Sequence, residues 1–170
     1  MRIHYDATQS QFLLQAGHSS TYALGVTEQG VLQHVYWGPQ LATDGTGPRP
    51  APLLGRGYTP NLSDAPEGTS LDTLPQEYPT YGNSDYREPA LEIFQPETGS
   101  RILSLRYQSH TIQAGKPKLS GLPSTYTEAP GDAETLKIRM VDALLNLEVE
   151  LSYTVFEHHP VVARSARILN

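Results

Sequence analysis

Leu147-Glu148-Val149-Glu150-Leu151-Ser152-Tyr153-Thr154-Val155-Phe156-Glu157 is the stretch from which the fold class is read. Leu147, Val149, Leu151, Tyr153 and Val155 recur at every second position, with Glu148, Glu150 and Ser152 between them. Successive side chains on extended backbone point to opposite sides, so this period lays the apolar set on one face and the polar set on the other. The pattern predicts a half-buried strand of an antiparallel sheet. Strand-like runs flank it at 135–141 and 161–169, joined to it through 142–146 and through Glu157-His158-His159-Pro160. The three together predict a meander, with a short helix over 142–147 as the rival for the first connection. Further upstream, 90–94 and 101–113 read as strands around a Gln95-Pro96-Glu97-Thr98-Gly99 turn. At the start of the chain 2–5, 12–14, 21–26 and 31–37 read as two or three hairpins, with a turn at Glu28-Gln29-Gly30. The expectation is an all-β, antiparallel domain over residues 1–170.

Between Gly38 and Pro89 both periodicities stop. Nine of the 14 prolines and seven of the 14 glycines fall in that interval. A connection that long is unusual in a compact domain unless it is functional or disordered. Disordered segments are poor in aromatic and branched apolar residues. This one carries Tyr58, Tyr78, Tyr81 and Tyr86 with Leu53, Leu54, Leu62, Leu71 and Leu74. The expectation is therefore an ordered excursion that packs on something, inside the chain or outside it.

Composition excludes several classes of function. There is no cysteine, which removes disulfides, thiolate metal sites and cysteine nucleophiles. Eighteen acidic residues against 12 Lys and Arg give a net charge of −6. That balance argues against nucleic acid and against an anionic membrane surface as partners. No apolar run is long enough to span a bilayer as a helix. Met1-Arg2-Ile3-His4-Tyr5-Asp6 has no apolar core of the kind a secretory signal needs, and with the missing cysteines this gives a cytoplasmic expectation. Asn61-Leu62-Ser63 matches a glycosylation sequon and reads as a chance match in that setting.

Few residues stand out as chemically active. The six histidines include the adjacent pair His158-His159, whose side chains would point to opposite faces of a strand; no metal site and no cofactor are expected. Asp85 and Glu88, within Asn83-Ser84-Asp85-Tyr86-Arg87-Glu88-Pro89, are the most concentrated carboxylates. They read as a turn acceptor and as part of an ion pair with Arg87 that orders the loop, rather than as a catalytic pair. Tyrosines beside arginine in an ordered loop suit sugar recognition, since an aromatic face packs on the C–H side of a pyranose. Packing of the same tyrosines onto the sheet is the competing reading.

Five runs resemble the N-terminal domain of glycoside hydrolase family 36, the large α-galactosidases. They are Leu32-Gln33-His34-Val35-Tyr36-Trp37-Gly38, the stretch 70–90 containing Gln76-Glu77-Tyr78-Pro79-Thr80-Tyr81-Gly82-Asn83-Ser84-Asp85-Tyr86-Arg87-Glu88-Pro89-Ala90, Lys116-Pro117-Lys118-Leu119-Ser120-Gly121-Leu122-Pro123, Asp142-Ala143-Leu144-Leu145-Asn146-Leu147-Glu148-Val149, and Val162-Ala163-Arg164-Ser165-Ala166-Arg167. The resemblance implies a β-supersandwich that precedes a (β/α)8 barrel and a C-terminal β domain. It implies hydrolysis of terminal α-1,6-galactosides such as melibiose and raffinose, with retention, by two aspartates of the barrel and without metal. The one tryptophan, Trp37, is followed by Gly38, so the barrel's K-W-D motif is not in this chain and no catalytic residue is assigned to it. In tetrameric relatives the long N-terminal loop reaches a neighbouring active site through a run resembling L-D-R-A-F-S-P. The matching run here is Leu54-Gly55-Arg56-Gly57-Tyr58-Thr59-Pro60. Gly55 stands where the sugar-contacting aspartate would be, and Arg56 is kept, so Gly55 and Arg56 are the substrate-site positions the resemblance implies.

The expected partners are an α-galactoside oligosaccharide through the full enzyme, the chain's own catalytic barrel, and further copies in a homo-oligomer. A stand-alone carbohydrate-binding β-sandwich and a purely structural domain remain as alternatives, and a sugar transferase on the same scaffold is a third. The run of strand-like residues up to Asn170 fits both a natural terminal strand and a cut at a domain edge.

Overall fold

The computed structural model describes residues 2–43, 47–48, 50, 60–121 and 123–170. Among the described residues eight strands form two antiparallel sheets, each a meander in sequence order. The first sheet holds β1 (Ile3–Asp6), β2 (Gln11–Ala16), β3 (Ser20–Val26) and β4 (Leu32–Pro39). The second holds β5 (Arg106–Ala114), β6 (Ala133–Asp142), β7 (Leu147–Phe156) and β8 (Val162–Leu169). The all-β antiparallel expectation holds, and so does the meander around residues 147–157.

The alternation in β7 produces the face it predicted. Leu147, Val149, Leu151, Tyr153 and Val155 are buried, while Glu148, Glu150 and Ser152 are partly exposed. On the inner faces these residues join Leu136, Ile138 and Met140 of β6 and Ile3, Phe12, Leu14 and Leu24 of the first sheet in one core. Each such side chain contributes about 1.5–3 kcal/mol by leaving water. Polar contacts close the ends of the two sheets. Glu134 of β6 accepts the backbone N–H groups of Arg2 and Ile3 through Oε2 at 2.6 and 2.7 Å. The Gly17 N–H donates to the Phe156 carbonyl at 2.8 Å, and the Tyr107 N–H to the Gly30 carbonyl at 2.7 Å.

Local chemistry sets the turns. Asp6 Oδ1 accepts the N–H groups of Thr8 and Gln9 at 2.8 and 3.1 Å, closing the β1–β2 connection. Between β6 and β7, Asp142 Oδ1 accepts the N–H groups of Leu144 and Leu145 at 2.9 and 3.1 Å, an Asx-type turn in place of the rival helix.

Two expected strands are corrected. Residues 90–94 form no strand; one parallel bridge joins Leu91 to Thr80, and the Ala90 N–H donates to the Pro79 carbonyl. The long strand expected over 101–113 begins only at Arg106. Upstream of it the backbone is engaged elsewhere, with the Leu103 N–H on the Tyr81 carbonyl and the Ser104 N–H on Asp142 Oδ2 at 2.7 Å. Alternation was present there, but the pairing partners are a loop and a side chain rather than a ladder.

The described part of the excursion is ordered by packing. Leu62, Leu71 and Leu74 form a small buried cluster with Val31. Past it, residues 75–77 run along the edge of β4 opposite β3: the His34 N–H donates to the Pro75 carbonyl at 2.8 Å and the Glu77 N–H to the Leu32 carbonyl at 3.0 Å. Among the described residues no helix is long and apolar enough to cross a membrane.

Candidate functional site

The excursion is fastened where it crosses the two sheets, and Glu77 is the fastener. Its side chain is only 2% exposed. Tyr22 of β3 donates to Oε2 at 2.7 Å and Tyr153 of β7 donates to Oε1 at 3.0 Å. Arg164 of β8 reaches Oε1 at 2.5 Å and the Glu77 carbonyl at 3.4 Å. One carboxylate thus joins the first sheet, the second sheet and the excursion. The rings add to it: Tyr22 and Tyr153 stack at 6.3 Å, and the Arg164 guanidinium lies 5.3 Å from the Tyr153 ring centre. Burial, followed by the hydrogen bond and charge of Glu77, pushes the Tyr22 hydroxyl far above its ordinary range. Burial and then the Glu77 charge do the same to Tyr153. Both hydroxyls therefore stay protonated and act as donors, as a buried carboxylate needs.

A second clamp follows in the chain. The buried Asp85 accepts Arg87 Nε at 2.8 Å on Oδ1 and Arg87 Nη2 at 2.7 Å on Oδ2, while Gln76 Nε2 donates to Oδ2 at 2.7 Å. Its backbone pairs reciprocally with Gly82 across a tight turn. The Arg87 hydrogen bond, opposed by burial, holds the Asp85 carboxyl below the usual carboxylate range. The reading of Asp85 as turn acceptor is the one the geometry supports, with the Arg87 N–H on Oδ1 at 3.1 Å, while the ion pair that orders the loop joins Arg87 to Asp85 itself rather than to Glu88. Glu88 is exposed and makes no part of this clamp. With both oxygens of each carboxylate held by structural donors, Glu77 and Asp85 serve as anchors rather than as a general acid and base.

Beyond the clamp lies an aromatic surface. Tyr86, 57% exposed, meets Tyr81 edge-on at 5.5 Å. The Arg101 guanidinium lies 5.0 Å over the Tyr81 ring, and Arg101 also pairs with Glu92. Tyr78 packs against the main core instead. Gly55 and Arg56, the positions implied as substrate site, lie outside the described residues. His18 and His158 approach with ring centres 6.5 Å apart, and among the described residues no group of three or more possible ligands surrounds a point where a metal ion would sit.

Comparison with known proteins places this geometry in a family. The model of the glycosyl hydrolase family 36 N-terminal domain matches residues 30–170. The chain belongs to that family. Alpha-galactosidase AgaA of Geobacillus stearothermophilus is 47% identical over 170 residues, covering 100% of this chain and 23% of AgaA. The bifunctional alpha-galactosidase/sucrose kinase AgaSK of Mediterraneibacter gnavus is 36% identical over 172 residues, with 18% of its length covered. Among solved structures, the GH36 alpha-galactosidase AgaB of Geobacillus stearothermophilus superposes with a TM-score of 0.91 at 43% identity, covering 100% of this chain and 22% of AgaB. The chain spans under a quarter of the length of these relatives.

Proposed function

We propose that the chain is the non-catalytic N-terminal module of a retaining α-galactosidase that removes terminal α-1,6-linked galactose from oligosaccharides of the melibiose and raffinose type. The observation that carries the reading is the match of the whole chain, at 47% identity, to less than a quarter of an α-galactosidase. A crystal structure of an AgaA variant in complex with raffinose, 47% identical to this chain, supports the substrate class. Retention requires two carboxylates about 5–5.5 Å apart, one as nucleophile and one as acid and base. In this reading both belong to a barrel domain, while this chain supplies support. Its excursion, tied down at Glu77 and Asp85, carries Gly55 and Arg56 toward the active-site entrance of a neighbouring copy in a cytoplasmic homo-oligomer. Gly55 offers no side-chain acceptor, so the sugar contact passes to Arg56.

The test uses the complete gene product. It should hydrolyse an aryl α-galactoside, and residues 1–170 alone should not. Arg56→Ala in the complete enzyme should raise KM or lower the oligomeric mass. Absence of α-galactosidase activity from the complete gene product overturns the reading. A second reading, a carbohydrate-binding module acting alone, is favoured by the exposed face of Tyr86; measurable affinity of residues 1–170 for galactose, lost in Tyr86→Ala, would establish it instead.

A further inference from the structure

The chain has only three lysines, Lys116, Lys118 and Lys137. All three line one open cavity of about 700 Å³ on the outer face of the second sheet. Its floor comes from β6, β7 and β8 and its wall from residues 116–120 and 123–125. Arg167 brings one more cation, and Glu150 is the one carboxylate in the lining, whereas the Arg164 guanidinium is turned to Glu77 and the Tyr153 ring on the inner face. That is a concentrated positive site on a chain whose net charge is −6. One of the cations is satisfied locally, Lys137 by Glu150 at 2.9 Å. Lys116 and Lys118 have no ion-pair partner among the described residues. A concave wall of unneutralised like charge focuses a positive potential and calls for an anionic occupant.

We propose that this cavity is the seat of a carboxylate-bearing segment from the remainder of the same polypeptide, docking through Lys116 and Lys118. The proposal rests on the reading of the chain as one module of a larger enzyme. Two features favour a protein segment over a small anion. The volume falls in the range of roughly 300–1,000 Å³ that encloses a whole ligand, far more than one phosphate fills. Apolar Pro117, Leu119 and Ala163 alternate with the cations in the lining, which suits a side-chain-bearing strand or loop. Immediately beyond the wall, Tyr126 is 81% exposed, an aromatic ring that nothing among the described residues covers. More than three quarters of AgaA, a relative matched over the whole of this chain, lies outside the matched length.

A zero-length carbodiimide crosslink on the complete gene product tests this, because it joins only an ammonium and a carboxylate already in contact. Lys137–Glu150 serves as the internal positive control. The expected result is an amide from Lys116 or Lys118 to an Asp or Glu beyond residue 170, in material of monomer mass. Lys116→Gln/Lys118→Gln should lose that crosslink and keep the control. Three results overturn the proposal. One is formation of the control crosslink alone, with Lys116 and Lys118 acetylated as fast as free lysine. Another is a crosslink that appears only between isotope-labelled and unlabelled copies, which makes the site a surface between subunits. The third is protection of both lysines by inorganic pyrophosphate with no crosslink, which makes it a small-anion site. Galactosidase activity measured on the same sample separates failure of the docking from failure of the functional reading.

Discussion

Removing the carboxylate of Glu77 should loosen the joint between the excursion and both sheets. In Glu77→Ala the buried Tyr153 hydroxyl loses its acceptor, and an unsatisfied buried donor costs about 1–3 kcal/mol. Tyr22 is only partly buried, so water replaces some of its bond and the loss is about 0.5–1.5 kcal/mol. The Arg164 side chain is 49% exposed, so its ion pair is worth about 1 kcal/mol, the upper end for exposed pairs, rather than the ~3–5 kcal/mol of a fully buried one. Together the expected destabilisation is about 3–5 kcal/mol, which in a domain of this size lowers Tm by roughly 10 °C. Glu77→Gln keeps the volume and one acceptor but turns an amide N–H₂ toward a hydroxyl donor, so about half of that loss should remain. Urea unfolding of residues 1–170, followed by the fluorescence of Trp37, reports on the joint because Trp37 lies 5.7 Å from the Tyr22 ring. Combined with Arg164→Ala, the two changes should couple by about 0.5–3 kcal/mol. If Glu77→Ala and Glu77→Gln both stay within about 0.5 kcal/mol of the parent, the value expected of an uninvolved surface position, the reasoning fails.

Three further outcomes are expected. Asp85→Ala frees four donors on Gln76 and Arg87 and should cost about 2–3 kcal/mol. Because the folded carboxyl is held below its ordinary value, its stabilisation is present above about pH 4 and is lost as pH falls further; an acid titration of stability that is unchanged in Asp85→Ala refutes the assignment. Gly82→Ala should destabilise through both its φ of +104° and a Cβ placed 2.7 Å from Ile102 Cδ1. Adding Ile102→Ala should recover the contact but leave a backbone cost of about 1–3 kcal/mol, measured by the same urea curves. His110 packs on Tyr5 and Phe12 at 4.4 and 4.8 Å, and burial lowers its pKa. The folded state then binds the proton less well than the unfolded chain, so stability falls as pH drops below about 6.5. His110→Phe should flatten that slope, and a slope left intact in the variant would assign it to another group.

The legible parts of the sequence were those where one ladder and one core decide everything. β7 shows this best, since both its neighbours are strands and its alternation maps directly onto burial. Residues 101–105 alternate as well, yet Ser104 and Leu103 give their N–H groups to Asp142 and Tyr81, partners 38 residues away and on a loop. Hydrophobic period reports which face is buried, not what the backbone pairs with. Asp85 was legible as a turn acceptor because the Arg87 N–H lies only two residues on, whereas the choice of Asp85 over Glu88 as the partner of the Arg87 guanidinium was not. Glu77 was quoted in the family-like run, but its role was hidden. Tyr22, Tyr153 and Arg164 lie 55, 76 and 87 residues from it, and no local pattern announces a junction of that kind. The same holds for the lysines, which are scarce in sequence and become a site only when 116–120 and 123–125 come to lie over the outer face of β6, β7 and β8.

The bond from Glu134 to the backbone of Arg2 and Ile3 has a consequence during synthesis. The acceptor lies 131 residues after Ile3. At about 5–20 residues added per second, the first strand emerges roughly 7–26 s before the carboxylate that anchors it. Over that interval the inner face of the first sheet, with Ile3, Phe12, Leu14 and Leu24, has no second sheet to cover it. The nascent chain would present a sticky apolar surface to the ribosome exit and to any holding factor there, and slowing translation between residues 40 and 130 should increase its aggregation.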